Sequence, residues 1–190
     1  MEALLTSIAV VALAEIGDKT QLLAIVLATR FRRPLPIVGG ILVATLANHF
    51  LAALVGEQVA GLLDGAWFRY AVAISFIAMA AWTLVPDKLD DDDTPKPSRF
   101  GPFLATAIAF FLVEMGDKTQ VATIALGARF HDAIHVTAGT TIGMMIANVP
   151  AVFFGDALVR KVPLGVVRTV AAGLFLIIGL WLLAQTMGLV

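Results

Sequence analysis

The sequence predicts an all-α polytopic membrane protein, with six transmembrane helices arranged as two inverted three-helix repeats. Three observations carry this. Hydrophobic residues make up 59% of the chain and charged residues only 14%, where a soluble domain carries about 25% charged, and mean hydropathy is +0.93. The apolar residues fall into six runs, each close to the roughly 20 that a helix needs to cross a hydrocarbon core. Finally, a polar motif inside the first run recurs inside the fourth.

The runs lie near 3–29, 35–56, 66–86, 102–128, 134–155 and 165–187. Between them stand charges and turn formers: Arg32-Arg33-Pro34, Asp64-Gly65, the stretch 87–99, His131-Asp132 and Arg160-Lys161-Val162-Pro163. Ala12-Leu13-Ala14 imitates a signal-peptidase site, but Glu2 is the only early charge and a basic leader region is missing. The first run is therefore read as a retained span. Basic residues set the orientation. Arg69 and Arg129 lie on one side; Arg30, Arg32, Arg33, Lys88, Lys96, Arg99, Arg160, Lys161 and Arg168 lie on the other. That excess predicts cytoplasmic first, third and fifth loops, with both termini extracytoplasmic.

Residues 15–31 read EIGDKTQLLAIVLATRF and residues 114–130 read EMGDKTQVATIALGARF, identical at ten of 17 positions without a gap. Apolar sequence matches itself by chance at Leu and Ala, but not at Glu, Gly, Asp, Lys, Thr and Gln in order, so the chain is internally duplicated. A weaker echo pairs Ala47-Asn48 with Ala147-Asn148, and Gly56-Glu57 with Gly155-Asp156. The expected organisation is a first three-helix repeat over 1–86, an acidic cytoplasmic linker over 87–99, and a second repeat over 100–190. Three spans is an odd number, so the second copy enters the bilayer upside down, as in many secondary transporters. The linker, with Asp90 to Asp93, reads as a solvated tether.

The motif places Glu15, Asp18, Lys19, Glu114, Asp117 and Lys118 near the centres of their spans. Uncompensated, six such charges would cost roughly 15–20 kcal/mol on the insertion scale, so they must face one another or a wet cavity. On a continuous helix Glu15, Asp18 and Gln21 form one polar stripe, repeated by Glu114, Asp117 and Gln120, and each lysine sits four residues after its glutamate. Gly17 and Gly116 allow either close backbone approach or a local break that exposes carbonyl oxygens. Four carboxylates against two lysines leave two negative charges over. A purely structural salt-bridge lattice in hydrocarbon should be neutral; the excess matches one divalent cation or two protons.

Carboxylate and amide oxygens suit hard cations such as Ca²⁺, Mn²⁺ or Mg²⁺. The candidate metal ligands are Glu15, Asp18, Glu114, Asp117, Gln21, Gln120, Asn48 and Asn148, with Gly17, Lys19, Thr20, Gly116, Lys118 and Thr119 as supporting motif. For the amides and for Thr20 and Thr119, plain helix–helix contacts are an equal reading. His49 would favour Mn²⁺ if it reached the site, and otherwise packs between helices. His131-Asp132-Ala133-Ile134-His135 imitates the zinc-hydrolase pattern but falls in a short loop with a carboxylate one carbon short, and no enzyme is expected. Glu57 and Asp156 are read as helix-end carboxylates. A net charge of −1 gives nucleic acid no purchase, and the absence of cysteine removes thiolate chemistry and disulfides.

The doubled Glu-x-Gly-Asp-Lys-Thr, each copy opening a three-helix half, resembles the family of calcium/manganese–proton exchangers, which includes the eukaryotic Golgi manganese transporter and small bacterial manganese exporters. The resemblance covers essentially the whole chain. It implies export of a divalent cation, Mn²⁺ before Ca²⁺, coupled to inward proton movement across a bacterial inner membrane. The metal is then cargo and no resident cofactor is expected. The partners are the ion, protons and the lipid bilayer, with a homo-oligomer left open. Motif residues carry over as Glu15, Gly17, Asp18, Lys19 and Thr20, and as Glu114, Gly116, Asp117, Lys118 and Thr119. A divalent-cation channel and a membrane scaffold are the alternatives.

Overall fold

The computed structural model describes residues 1–63, 65–86, 100–155 and 163–189. The expected linker 87–99, with Lys88, Asp90 to Asp93, Lys96 and Arg99, lies outside them, as do Asp64, Asp156, Arg160, Lys161 and Val190. Regular structure among the described residues is wholly helical: α1 (Glu2–Glu15), α2 (Lys19–Phe31), α3 (Pro34–Leu62), α4 (Ala66–Thr83), α5 (Pro102–Glu114), α6 (Lys118–Phe130), α7 (Ala133–Phe154) and α8 (Leu164–Thr186). Four of these, α3, α4, α7 and α8, are long and apolar enough to cross a membrane.

The first and fourth expected spans are not continuous helices. Each is two half-helices of 13 or 14 residues, about 20 Å apiece at 1.5 Å per residue, too short to cross alone. The break follows from three residues. Ile16 and Met115 leave helical geometry with ψ of 112° and 118°, Gly17 and Gly116 take φ of +83° and +78°, and Asp18 and Asp117 are extended before the next helix starts. Positive φ is strained for residues with a β-carbon. Of the two roles open to these glycines, the local break is the one found. The continuous polar stripe does not form, because Glu15 ends one helix and Asp18 immediately precedes the next. The duplication persists downstream: α2 and α6 close on left-handed residues, Arg32 and His131, whose N–H groups return to Ala28 and Gly127.

A β-carbon at Gly116 would meet open space, whereas one at Gly17 would meet the Leu164 side chain. Gly116→Ala therefore isolates the backbone cost of the left-handed region, about 1–2 kcal/mol. A matching fall in melting temperature in detergent is expected, and an unchanged melting point would mean the break is not required.

The halves pack crosswise. α1 lies on α7 and α5 on α3, while α2 meets α7 and α6 meets α3; α4 and α8 pair with each other. Small residues make these crossings close, as in membrane helix pairs generally. Gly139 and Gly143 of α7 face the α1 backbone at Leu4, Ile8 and Ala12, and Gly40 of α3 faces α5 at Phe103. Gly56 of α3 and Gly127 of α6 interlock against each other's helices. With both half-helix pairs held by the opposite repeat, the two breaks meet inside the bundle. Leu46, Phe50, Leu51, Ile146, Ile177 and Trp181 face outward, a surface suited to hydrocarbon rather than water.

Candidate cation site at two helix breaks

Glu15 and Glu114, the last residues of α1 and α5, are wholly buried, and Asp18 and Asp117, at the starts of α2 and α6, nearly so. Oxygens of Glu15, Glu114 and Asp117 lie within 4.8 Å of one another, close enough to share one ion. The break interrupts the four-residue register by which a continuous helix would bring each lysine to its own glutamate. Both lysines pair across the repeats: Lys118 Nζ lies 3.2 Å from Asp18 Oδ1 and Lys19 Nζ lies 3.4 Å from Asp117 Oδ1. The second oxygen of each aspartate, Oδ2, has no hydrogen-bond partner.

The two glutamates differ. Glu15 accepts hydroxyl hydrogen bonds from Thr20 of its own repeat and Thr119 of the other. Both Glu114 oxygens lack hydrogen-bond partners, and His49 Nε2 lies 3.8 Å from Glu114 Oε2. Gln21 and Gln120 brace the breaks, accepting the Gly17 and Gly116 N–H groups at 2.9 and 2.7 Å. Their amide groups donate across the halves, Gln21 to the Ala147 carbonyl and Gln120 to Asn48 Oδ1, both at 2.9 Å. Asn148 donates to Met144 and leaves its Oδ1 unpartnered. The structure thus brings the motif residues and Asn48 into one connected region. The crosswise lysine pairing was not legible from spacing, because it depends on how the halves dock.

The remaining histidines have local roles. His131 ends α6, and Asp132 caps α7 by accepting the His135 N–H at 3.0 Å, with the His135 ring 2.7 Å from its other oxygen. That backbone donor, with the ring beside it, holds the Asp132 carboxyl below its ordinary value. The resemblance to a zinc motif is a helix cap. Glu57 accepts the Ala133 N–H at 3.1 Å, serving the same helix start. Arg69 and Arg129, assigned to one side by charge, line a single cavity of about 310 Å³ with His131 and Gln185.

Buried carboxylates at paired helix breaks, inside a duplicated apolar bundle, define a multi-pass membrane protein of the secondary-transporter class. Residues 3–91 and 102–189 match the family described as "Divalent cation/proton antiporter GDT1", and the chain belongs to that family. It is a transporter, not an enzyme. The chain is 52% identical over 181 residues to a Vibrio cholerae protein named "Putative manganese exporter", covering 95% of this chain and 90% of the relative. "GDT1-like protein 5" of Arabidopsis thaliana is 28% identical over 92% of each chain, and "GDT1-like protein 3" of the same plant is 29% identical over 92% of this chain and 68% of its own. No solved structure matches the chain.

Proposed function

We propose that the chain exports Mn²⁺ from the cytoplasm in exchange for protons, through one site shared by both motifs, with Ca²⁺ as the next substrate that the oxygen donors admit. One observation carries this reading. Each lysine has an aspartate of the opposite repeat beside it, and the four buried carboxylates, Glu15, Asp18, Glu114 and Asp117, outnumber the two lysines by two negative charges. Two buried negative charges suit either one divalent ion or two protons. Glu15, Glu114 and Asp117 form the core of the ligand set, and Asp18, buried beside Lys118, is the fourth carboxylate. Asn148 has an open oxygen, while Gln21, Gln120 and Asn48 hold the breaks in register.

In this reading α1–α2 and α5–α6 each make one broken crossing, giving six crossings in two inverted repeats, 1–86 and 100–190, joined by the linker 87–99. Broken helices around a shared site are typical of inverted-repeat transporters. The basic-residue excess puts both termini outside the cytoplasm, and the bacterial relative supports a plasma-membrane location. A reporter after Val190 is then expected outside and one within 90–96 inside; finding both on one side would remove the inversion. Metal and protons compete for the same oxygens, and that exclusion couples their fluxes.

The test is electrical. One M²⁺ for two H⁺ moves no net charge, whereas each uncompensated charge would couple about 2.3 kcal/mol per 100 mV. In proteoliposomes a proton gradient is expected to drive Mn²⁺ movement, with an opposite pH change inside. A valinomycin-clamped potential alone should drive none. Potential-driven Mn²⁺ flux without pH change would identify a channel instead.

A further inference from the structure

We propose, building on the site reading above, that His49 is a metal ligand that selects Mn²⁺ over Ca²⁺. His49 follows Asn48 on α3 and is wholly buried. Neither ring nitrogen has a hydrogen-bond partner. Buried polar atoms are nearly always partnered, and leaving one unmade costs about 1–3 kcal/mol. The ring points at the one motif carboxylate that is equally bare, with Nε2 3.8 Å from Glu114 Oε2. That separation is too long for a hydrogen bond, but a single ion with two bonds of about 2.1 Å bridges it.

The arrangement is confined to one repeat. Aligning Ala47-Asn48 with Ala147-Asn148 puts Val149 opposite His49. The counterpart of Glu114 is Glu15, whose oxygens face the hydroxyls of Thr20 and Thr119 instead. The site is therefore all-oxygen on its Glu15 side and offers nitrogen on its Glu114 side. Ca²⁺ and Mg²⁺ take oxygen ligands, whereas imidazole suits first-row transition ions. Nitrogen at the Glu114 side favours Mn²⁺ without weakening the carboxylate attraction that any divalent ion feels. The transported ion is thereby chosen by a residue outside the duplicated motif.

The test is pulsed electron paramagnetic resonance on the purified full chain loaded with Mn²⁺. Wild-type protein is expected to show a ¹⁴N coupling that converts to a ¹⁵N pattern when histidine is ¹⁵N-labelled and that disappears in His49→Gln. In parallel, His49→Gln should weaken Mn²⁺ binding by about 10-fold or more while changing Ca²⁺ binding little, the range lost when metal-site partners are removed. His49→Phe, which fills the space without a donor, should lose Mn²⁺ preference in the same way. Mn²⁺ bound with no nitrogen coupling overturns the role of His49 and leaves the carboxylate site standing. No Mn²⁺ binding by the wild type overturns both. If neither variant accumulates, the labelled wild-type spectrum decides alone.

Discussion

Glu114→Gln is expected to reduce Mn²⁺ exchange by more than about 100-fold, since groups that merely orient metal ligands are already worth about 10–100-fold. The same variant should be at least as stable as the parent. Glu114 has no hydrogen-bonded partner to lose, and it stands within 4.8 Å of carboxylate oxygens of Glu15 and Asp117. Two charges at that distance repel by about 3–4 kcal/mol at an effective dielectric of about 20. Glutamine keeps the shape and removes that repulsion. Glu15→Gln should be equally inactive but gain less stability, because the Thr20 and Thr119 hydroxyls lose a charged acceptor. Transport in proteoliposomes and melting in detergent measure the two quantities. Lost stability with retained exchange would make the glutamates structural and end the site assignment.

Lys118→Met should have the opposite profile, with a large loss of stability. Lys118 is 6% exposed and its partner Asp18 3%, and removing one member of a buried pair costs about 3–5 kcal/mol. Lys19 is 22% exposed, so Lys19→Met should cost clearly less, solvent taking over part of the partner's role. Adding Asp18→Asn to Lys118→Met removes the stranded charge and should recover most of the stability without recovering full transport. A double-mutant cycle in which the two losses simply add would show that the pair is not coupled. The cycle also tests crosswise docking directly, since the partners are 100 residues apart in sequence.

Apolar runs and a doubled motif were enough, by themselves, to determine an all-helical membrane protein built by duplication, and to single out Glu15, Asp18, Glu114 and Asp117 as its unusual groups. Both signals are local: the composition of a run reports its solvent, and an unpaired charge in hydrocarbon is conspicuous wherever the chain goes. Spacing also left the motif glycines two roles, but it counted the first and fourth runs as continuous helices, because periodicity does not register a three-residue interruption between helical stretches. What tertiary structure decided was pairing. Lys19 reaches Asp117 and Lys118 reaches Asp18, Gln21 reaches the Ala147 carbonyl and Gln120 reaches Asn48, and His49 comes to 3.8 Å from Glu114. Each of these depends on which helix of one repeat packs against which helix of the other, through close glycine contacts such as Gly143 on α1 and Gly56 on α6. A motif present twice carries no mark of its partner, so only docking of the two halves turns two identical segments into one site with unlike sides.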